Sequence, residues 1–314
     1  MKVNLRLELQ ESLGINENQL NRLILRAPHS YKVYTIAKRS GGDRVIAQPA
    51  KETKFIQHWL IDNIFKKMPV HQSATAYKNG ASIKENAAAH QANSYITKFD
   101  FKNFFTSIKA GDLVEHLSRH LGELLNPEDI KDVARISCIK LHGRDELCLS
   151  VGAPSSPILS NTILIDFDRQ VYAWCSQHGI TYTRYADDLT FSTNTNRISS
   201  DIEPAIREIV RKLEYPRLRF NNKKTTHLSK KHQRRITGLV ITNDGKLSLG
   251  RERKREISSL IHRFSLSLLS KDEVYHLQGL LGFATDVEPL FMSRMRGKYG
   301  AFLIQEILQK RKEA

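Results

Sequence analysis

Asp187 and Asp188 stand side by side in Thr181-Tyr-Thr-Arg-Tyr-Ala-Asp-Asp-Leu-Thr-Phe-Ser192, between two short runs rich in β-branched and aromatic residues. That pattern reads as a β-hairpin whose tip presents two negative charges. At a surface-like dielectric, two like charges about 4 Å apart cost roughly 4 kcal/mol, and a divalent cation removes that cost. An oxygen-only site with few protein ligands suits magnesium acting on substrate phosphates. The same dipeptide would also serve as a plain turn, where Asp is common. A third carboxylate, Asp100, lies at the exit of the alternating run Tyr95-Ile-Thr-Lys-Phe-Asp100. There it can join a hairpin tip on a neighbouring strand, or simply cap the turn that follows.

The segment Leu149-Ser-Val-Gly-Ala-Pro-Ser-Ser-Pro157 is different in kind. Gly152 permits close backbone approach, and Pro154 stiffens the loop. Ser156 as N-cap and Pro157 at the first helical position predict a helix through Ile158–Cys175, whose start offers amide donors to an anion.

Around these groups, helical patterns cover Glu17–Arg26, Glu52–Lys67, Ala81–Gln91, Asp112–Leu121 and Pro127–Leu141. Strands are expected at Tyr31–Ala37, Arg44–Gln48, Tyr95–Phe99, Ile180–Arg184, Leu189–Thr193, Ile236–Thr242 and Lys246–Leu249. Asn243-Asp-Gly-Lys246 is a hairpin turn, because Asp-Gly supplies the positive-φ positions of tight loops. From Arg251 onward the pattern is helical almost to the end. Mixed strands and helices followed by a helical tail give an α+β fold with an appended helical module.

A chain of 314 residues supports two or three packed subdomains. Its 49 Lys+Arg against 33 Asp+Glu give a formal charge of +16 and a pI near 9.7, so polyanions are the natural partners. Nucleic acid leads; a membrane fits poorly, since no apolar run approaches the roughly 18–20 residues of a spanning helix. Met1–Gln10 has no signal-peptide apolar segment. Cys138, Cys148 and Cys175 are isolated and odd in number, which points to buried thiols in a reducing cytoplasm rather than to disulfides or zinc.

Asp100, the Gly-Ala-Pro-Ser-Ser-Pro loop of residues 152–157 and Tyr185-Ala-Asp-Asp188 resemble reverse-transcriptase motifs A, B and C, in order and at similar spacing. Arg44-Val-Ile-Ala-Gln-Pro49 resembles the fingers motif with its triphosphate-binding Arg, and Leu218-Arg-Phe-Asn-Asn-Lys-Lys-Thr225 resembles motif D, its Lys falling on Lys224. Asn86-Ala-Ala-Ala-His90 and Arg235-Ile-Thr-Gly-Leu239 resemble two elements of bacterial retron reverse transcriptases, Ile236 standing where the second element has Val. The resemblance runs from about Tyr31 to the C-terminal helices. It departs at Val151, where retron enzymes often carry Gln, so the role of that Gln near the nucleotide does not transfer.

The resemblance implies a right-hand polymerase: fingers over residues 1–94 with 109–148, palm over 95–249, and a helical thumb over 250–314. It implies attack of a primer hydroxyl on a dNTP, with two magnesium ions held by Asp100 and Asp187, the Phe101 carbonyl completing one shell and Asp188 in support. Arg44 and Lys38 would neutralise the triphosphate, Gly152 would line the dNTP site, and Lys224 would act on the leaving pyrophosphate. Phe105, five residues after Asp100, would be the aromatic gate against a 2′-hydroxyl; alternatively Phe101, Phe104 and Phe105 are core.

The implied partner is a cognate structured noncoding RNA, primed from a guanosine 2′-hydroxyl to give branched RNA–DNA, with an effector protein in anti-phage defence. Asn86, His90, Thr237 and Gly238 are expected RNA contacts by resemblance. Arg251, Arg253, Lys254, Arg255 and His262 form either an RNA-binding face or a solvated helix surface. Rival readings are a group II intron-like or diversity-generating reverse transcriptase, or a silent RNA-binding scaffold. A maturase needs a longer thumb and a further DNA-binding region; a dead scaffold has no use for three mutually repelling carboxylates. Tyr-Ala-Asp-Asp in place of Gly-Asp-Asp disfavours RNA synthesis.

Overall fold

The protein is described by a computed structural model covering residues 4–38, 41–78 and 80–310. Expectations for residues 1–3 and for 311–314 of the helical tail lie outside the described residues. The chain forms two compact units, one of Met1–Ala81, Thr97–Phe191 and Asn196–Thr226, the other of Ser82–Ile96, Ser192–Thr195 and His227–Ala314. The fold is α+β, as the mixed pattern of strands and helices predicts.

The first unit begins with helices Leu5–Leu13 and Glu17–Arg26, the second started by a reciprocal Asn16–Gln19 capping box. Strands Tyr31–Ala37 and Asp43–Pro49 then form an antiparallel hairpin with Ala37 opposite Asp43. In a four-stranded sheet, Tyr95–Asp100 lies between Asp188–Thr193 and Thr226–Leu228, and Thr181–Tyr185 flanks Asp188–Thr193 on its other side. Phe99 and Phe191 on neighbouring strands enter a core with Phe65, Phe101 and Phe167.

Several elements depart from the sequence pattern. The helix expected over Pro127–Leu141 ends at Ser137, and Ile139–Lys140 pairs with Leu147–Cys148 across a turn where Gly143 has φ +69°. The helix expected from Ile158 to Cys175 is two, Ser155–Thr162 and Ile165–Gln177. Ser156 therefore lies inside a helix rather than capping one, and its hydroxyl accepts the Ser150 N–H at 3.3 Å. Helix Asn196–Lys212, absent from the sequence reading, carries Pro204 inside it and buries Ile202 and Ile206 one turn apart.

In the same unit, helix Ala110–Leu121 buries His116 among Leu113 and Leu117. Neither ring nitrogen has a hydrogen-bond partner. Burial, then His120 beside it, pushes the imidazole pKa down from 6.5 to about 3, so His116 is neutral when folded. Unfolding exposes a base that protonates below pH 6.5; stability is thus complete above that pH and falls as the medium is acidified toward pH 3. At pH 5 the loss is about 2 kcal/mol relative to pH 7. Denaturant titrations at both pH values should show this slope shrinking in His116→Leu.

The second unit is a short helix, Ile83–Ala88, a three-stranded antiparallel sheet and four helices, Arg251–Ser265, Lys271–Val287, Pro289–Tyr299 and Ala301–Gln309. The strand expected over Ile236–Thr242 is a hairpin: Thr237 and Gly238, at φ +45° and +86°, turn Arg234–Ile236 back onto Leu239–Ile241. Positive φ at both loop residues is what a type I′ two-residue hairpin requires. The next turn forms where expected, between Leu239–Ile241 and Leu247–Ser248, but Gly245 alone takes positive φ, at +77°, and Asp244 does not.

Candidate active site

Asp100 ends its strand with backbone partners on both sides. The Asn221 N–H donates to the Asp100 carbonyl at 2.7 Å, and the Phe101 N–H donates to the Asp187 carbonyl at 3.1 Å. Two carboxylate-bearing segments more than eighty residues apart are thereby fixed against each other. The Phe101 ring anchors the junction, stacked on Phe220 at 5.1 Å and on Phe104 at 5.9 Å.

On the hairpin, Ala186 adopts φ +58° at the tip, and Asp188 opens the returning strand. Burial, and then repulsion from Asp100 and Asp188, raises the Asp187 carboxyl pKa to about 6. Asp188 is also raised by burial, against the opposing charge of Lys98 at 3.8 Å. Lys224 bonds Asp100 Oδ2 at 2.7 Å, so its ammonium sits at the carboxylates. The carboxylates of Asp100, Asp187 and Asp188 thus share one electrostatic centre.

Among the described residues, no group of three or more His, Cys, Asp or Glu side chains is arranged to enclose a metal ion. Crowded, partly desolvated carboxylates with only oxygen donors nevertheless match a cation that keeps waters and substrate phosphates as ligands, as magnesium does.

The hairpin of Tyr31–Pro49 carries the expected triphosphate ligands. Arg44 is exposed on its second strand opposite Ile36, and exposed Lys38 donates its N–H to the Gly42 carbonyl at 2.8 Å near the tip. The loop of Gly152 is laced to that second strand: Ala47 N–H donates to the Val151 carbonyl at 2.8 Å, and Ser150 Oγ donates to the Ala47 carbonyl at 3.3 Å. Gly152 is at φ +117°, and a Cβ there would stand 2.9 Å from the Ala47 carbonyl oxygen. Gly152→Ala is expected to destabilise the protein by roughly 2–4 kcal/mol through backbone strain and overpacking. Denaturant unfolding of the purified variant measures it.

Phe104 is buried, whereas Phe105 is only half-buried at the edge of the core, its ring 5.2 Å from that of Phe104. Tyr77, unnoticed in the sequence, stands within electrostatic reach of both Asp187 and Arg44 and holds φ +60°.

The expected RNA contacts are placed differently. Asn86 and His90 are buried, and His90 Nδ1 is 2.7 Å from Ser192 Oγ, so both side chains lie in the interior of their unit. Thr237 is half-buried with its hydroxyl donating to the Ile83 carbonyl at 2.9 Å, while Gly238 is exposed. On helix Arg251–Ser265, Arg251, Arg255 and His262 are exposed. Arg253 instead lies over the Phe283 ring at 5.1 Å, and Lys254 pairs with Glu288 at 2.6 Å.

A further group escaped sequence reasoning. Arg184, fully buried, pairs with Asp168 at 2.6 Å and reaches the Ala186 carbonyl at 3.2 Å. Its signal was an Arg inside an otherwise apolar and β-branched strand beside the two carboxylates.

Residues 36–241 match the family model Reverse transcriptase (RNA-dependent DNA polymerase). The retron Ec83 reverse transcriptase of Escherichia coli is 40% identical over 280 residues, covering 88% of this chain and 89% of that protein. This chain belongs to the retron reverse transcriptases. It is therefore an RNA-dependent DNA polymerase, of a family that generally uses divalent metal. The retron Ec86 reverse transcriptase of Escherichia coli is 30% identical over 302 residues, covering 93% of this chain and 90% of its own. Among solved structures, apo telomerase from Candida tropicalis truncated from its C-terminal domain is similar at TM-score 0.48 and 16% identity, over 74% of this chain and 59% of that one. No helix among the described residues of this retron reverse transcriptase is long and apolar enough to cross a membrane.

Proposed function

We propose that this enzyme copies part of a cognate structured noncoding RNA into DNA at Asp100, Asp187 and Asp188, starting from a guanosine 2′-hydroxyl and leaving a branched RNA–DNA molecule that serves anti-phage defence with an effector protein. The observation that carries the catalytic part is the Phe101 N–H on the Asp187 carbonyl, which locks both carboxylate segments together. Two magnesium ions, when bound, would activate the attacking hydroxyl and stabilise charge on the α-phosphate and the leaving group.

Asp100 and Asp187 would hold these ions, with Asp188 and the Phe101 carbonyl in support. Arg44 binds the triphosphate, its planar fork matching phosphate oxygens, and Lys38 adds charge at the hairpin tip. Lys224, whose ammonium bonds Asp100, gives a proton or charge to departing pyrophosphate, a role its 2.7 Å contact with that carboxylate supports. Gly152 keeps the loop beside the nucleotide flush against the Arg44 strand. Phe105 presents its exposed edge to the sugar. Residues 1–94 with 109–148 act as fingers, 95–249 as palm and 250–314 as thumb. Arg251 and Arg255 supply phosphate contacts to RNA.

Low-molecular-weight nucleic acid from cells expressing the native locus tests this reading. A debranching-sensitive RNA–DNA hybrid is expected. Its absence, with the protein present, would remove the priming assignment while leaving the polymerase intact.

A further inference from the structure

We infer that Arg184 is a positioning residue for DNA synthesis, its buried pair with Asp168 setting the turn that carries Asp187 and Asp188. The inference rests on the proposed role of Asp187 at the reacting centre.

Arg184 and Asp168 side chains are both fully buried. Arg184 Nε and Nη2 donate to the two Asp168 oxygens at 2.9 and 2.6 Å, a bidentate fork. Tyr182 Oη donates to Asp168 Oδ1 at 2.7 Å. Nη1 points the other way: it donates to Asn161 Oδ1 at 3.1 Å and to the Ala186 carbonyl at 3.2 Å. Asn161 in turn donates to the Ala76 carbonyl at 2.8 Å. The main chain is pinned as well, with Arg184 N–H on the Ser73 carbonyl and Thr75 N–H on the Arg184 carbonyl, at 2.7 and 2.8 Å.

This arrangement explains the helix break. Asn161 lies in the last turn of Ser155–Thr162 and Asp168 in the first turn of Ile165–Gln177, so two helices present ligands to one guanidinium. It also explains how a non-glycine residue holds φ +58° at the tip. Such backbone persists only where its surroundings over-determine it, and the Arg184 fork fixes the Ala186 carbonyl immediately before Asp187. A buried ion pair is weak evidence for stability, since apolar replacement is often neutral. Its use here is to aim a carboxylate.

Two variants test this, each assayed for kcat, KM for dNTP, RNA affinity and melting temperature. Arg184→Lys keeps the charge but lacks the planar fork that holds Asp168 and the Ala186 carbonyl together. The double variant Arg184→Met/Asp168→Leu removes both charges and leaves neither alone in the core. Each should retain RNA affinity and KM while kcat falls about 100-fold, the cost of a small misplacement at a reacting centre. Wild-type kcat in either variant would overturn the inference and assign the pair to the core alone. Loss of RNA binding through unfolding of the Lys variant would do the same. Asp187→Asn, run beside them, separates the two readings: if it is inactive while the Arg184 variants are normal, only the positioning role fails.

Discussion

Asp187→Asn is expected to lower DNA synthesis by at least about 10³-fold while leaving RNA affinity intact, because metal stabilisation of transition-state charge is worth several kcal/mol. The substitution preserves shape and removes one negative ligand. Its effect on stability should run the other way. Asp187 is pushed up to about 6 by burial and by Asp100 and Asp188, so the folded protein holds this anion at a cost. A neutral amide relieves that repulsion, and the melting temperature should stay level or rise. Primer extension and thermal unfolding on one preparation measure both. A drop in activity with an equal collapse in stability would instead mark Asp187 as structural.

Phe105→Ala should raise ribonucleotide incorporation, shifting the dNTP/rNTP preference by about 10–100-fold. That range corresponds to the 1–3 kcal/mol typical of overpacking, here a 2′-hydroxyl forced against the ring. Phe101 and Phe104 are buried and stacked on each other, so the core keeps its aromatic filling without Phe105. The ring of Phe105 is held by Phe104 yet remains half-buried, which suits an edge that meets substrate. Competitive incorporation of paired dNTP and rNTP measures the ratio; an unchanged value would rule the gate out.

The carboxylates were legible because their chemistry is local: adjacent Asp residues in a β-rich hairpin leave few readings, and Asp100 ends a clear alternating run. Arg184 was harder: its place in a strand of aromatic and β-branched residues hints at burial, but its role appears only when Asp168 and Asn161 are folded onto it. For Asn86 and His90 the sequence left burial unread. Their expected RNA contact rests on family resemblance alone, and the fold buries both side chains, His90 against Ser192. Helix Asn196–Lys212 was missed although Ile202 and Ile206 repeat at helical spacing, because Pro204 reads as a breaker. The hairpin at Thr237–Gly238 was read as continuous strand because a β-branched residue rarely adopts positive φ.

The most direct measurement of the central claim is the rate of DNA synthesis on an RNA template by Asp100→Asn, Asp187→Asn and the double variant. If both carboxylates serve one reacting centre, each single change should abolish nearly all activity and the double should be scarcely slower than either, because groups acting as a unit are strongly non-additive. Wild-type rates from Asp100→Asn, or losses that simply multiply in the double variant, would contradict it.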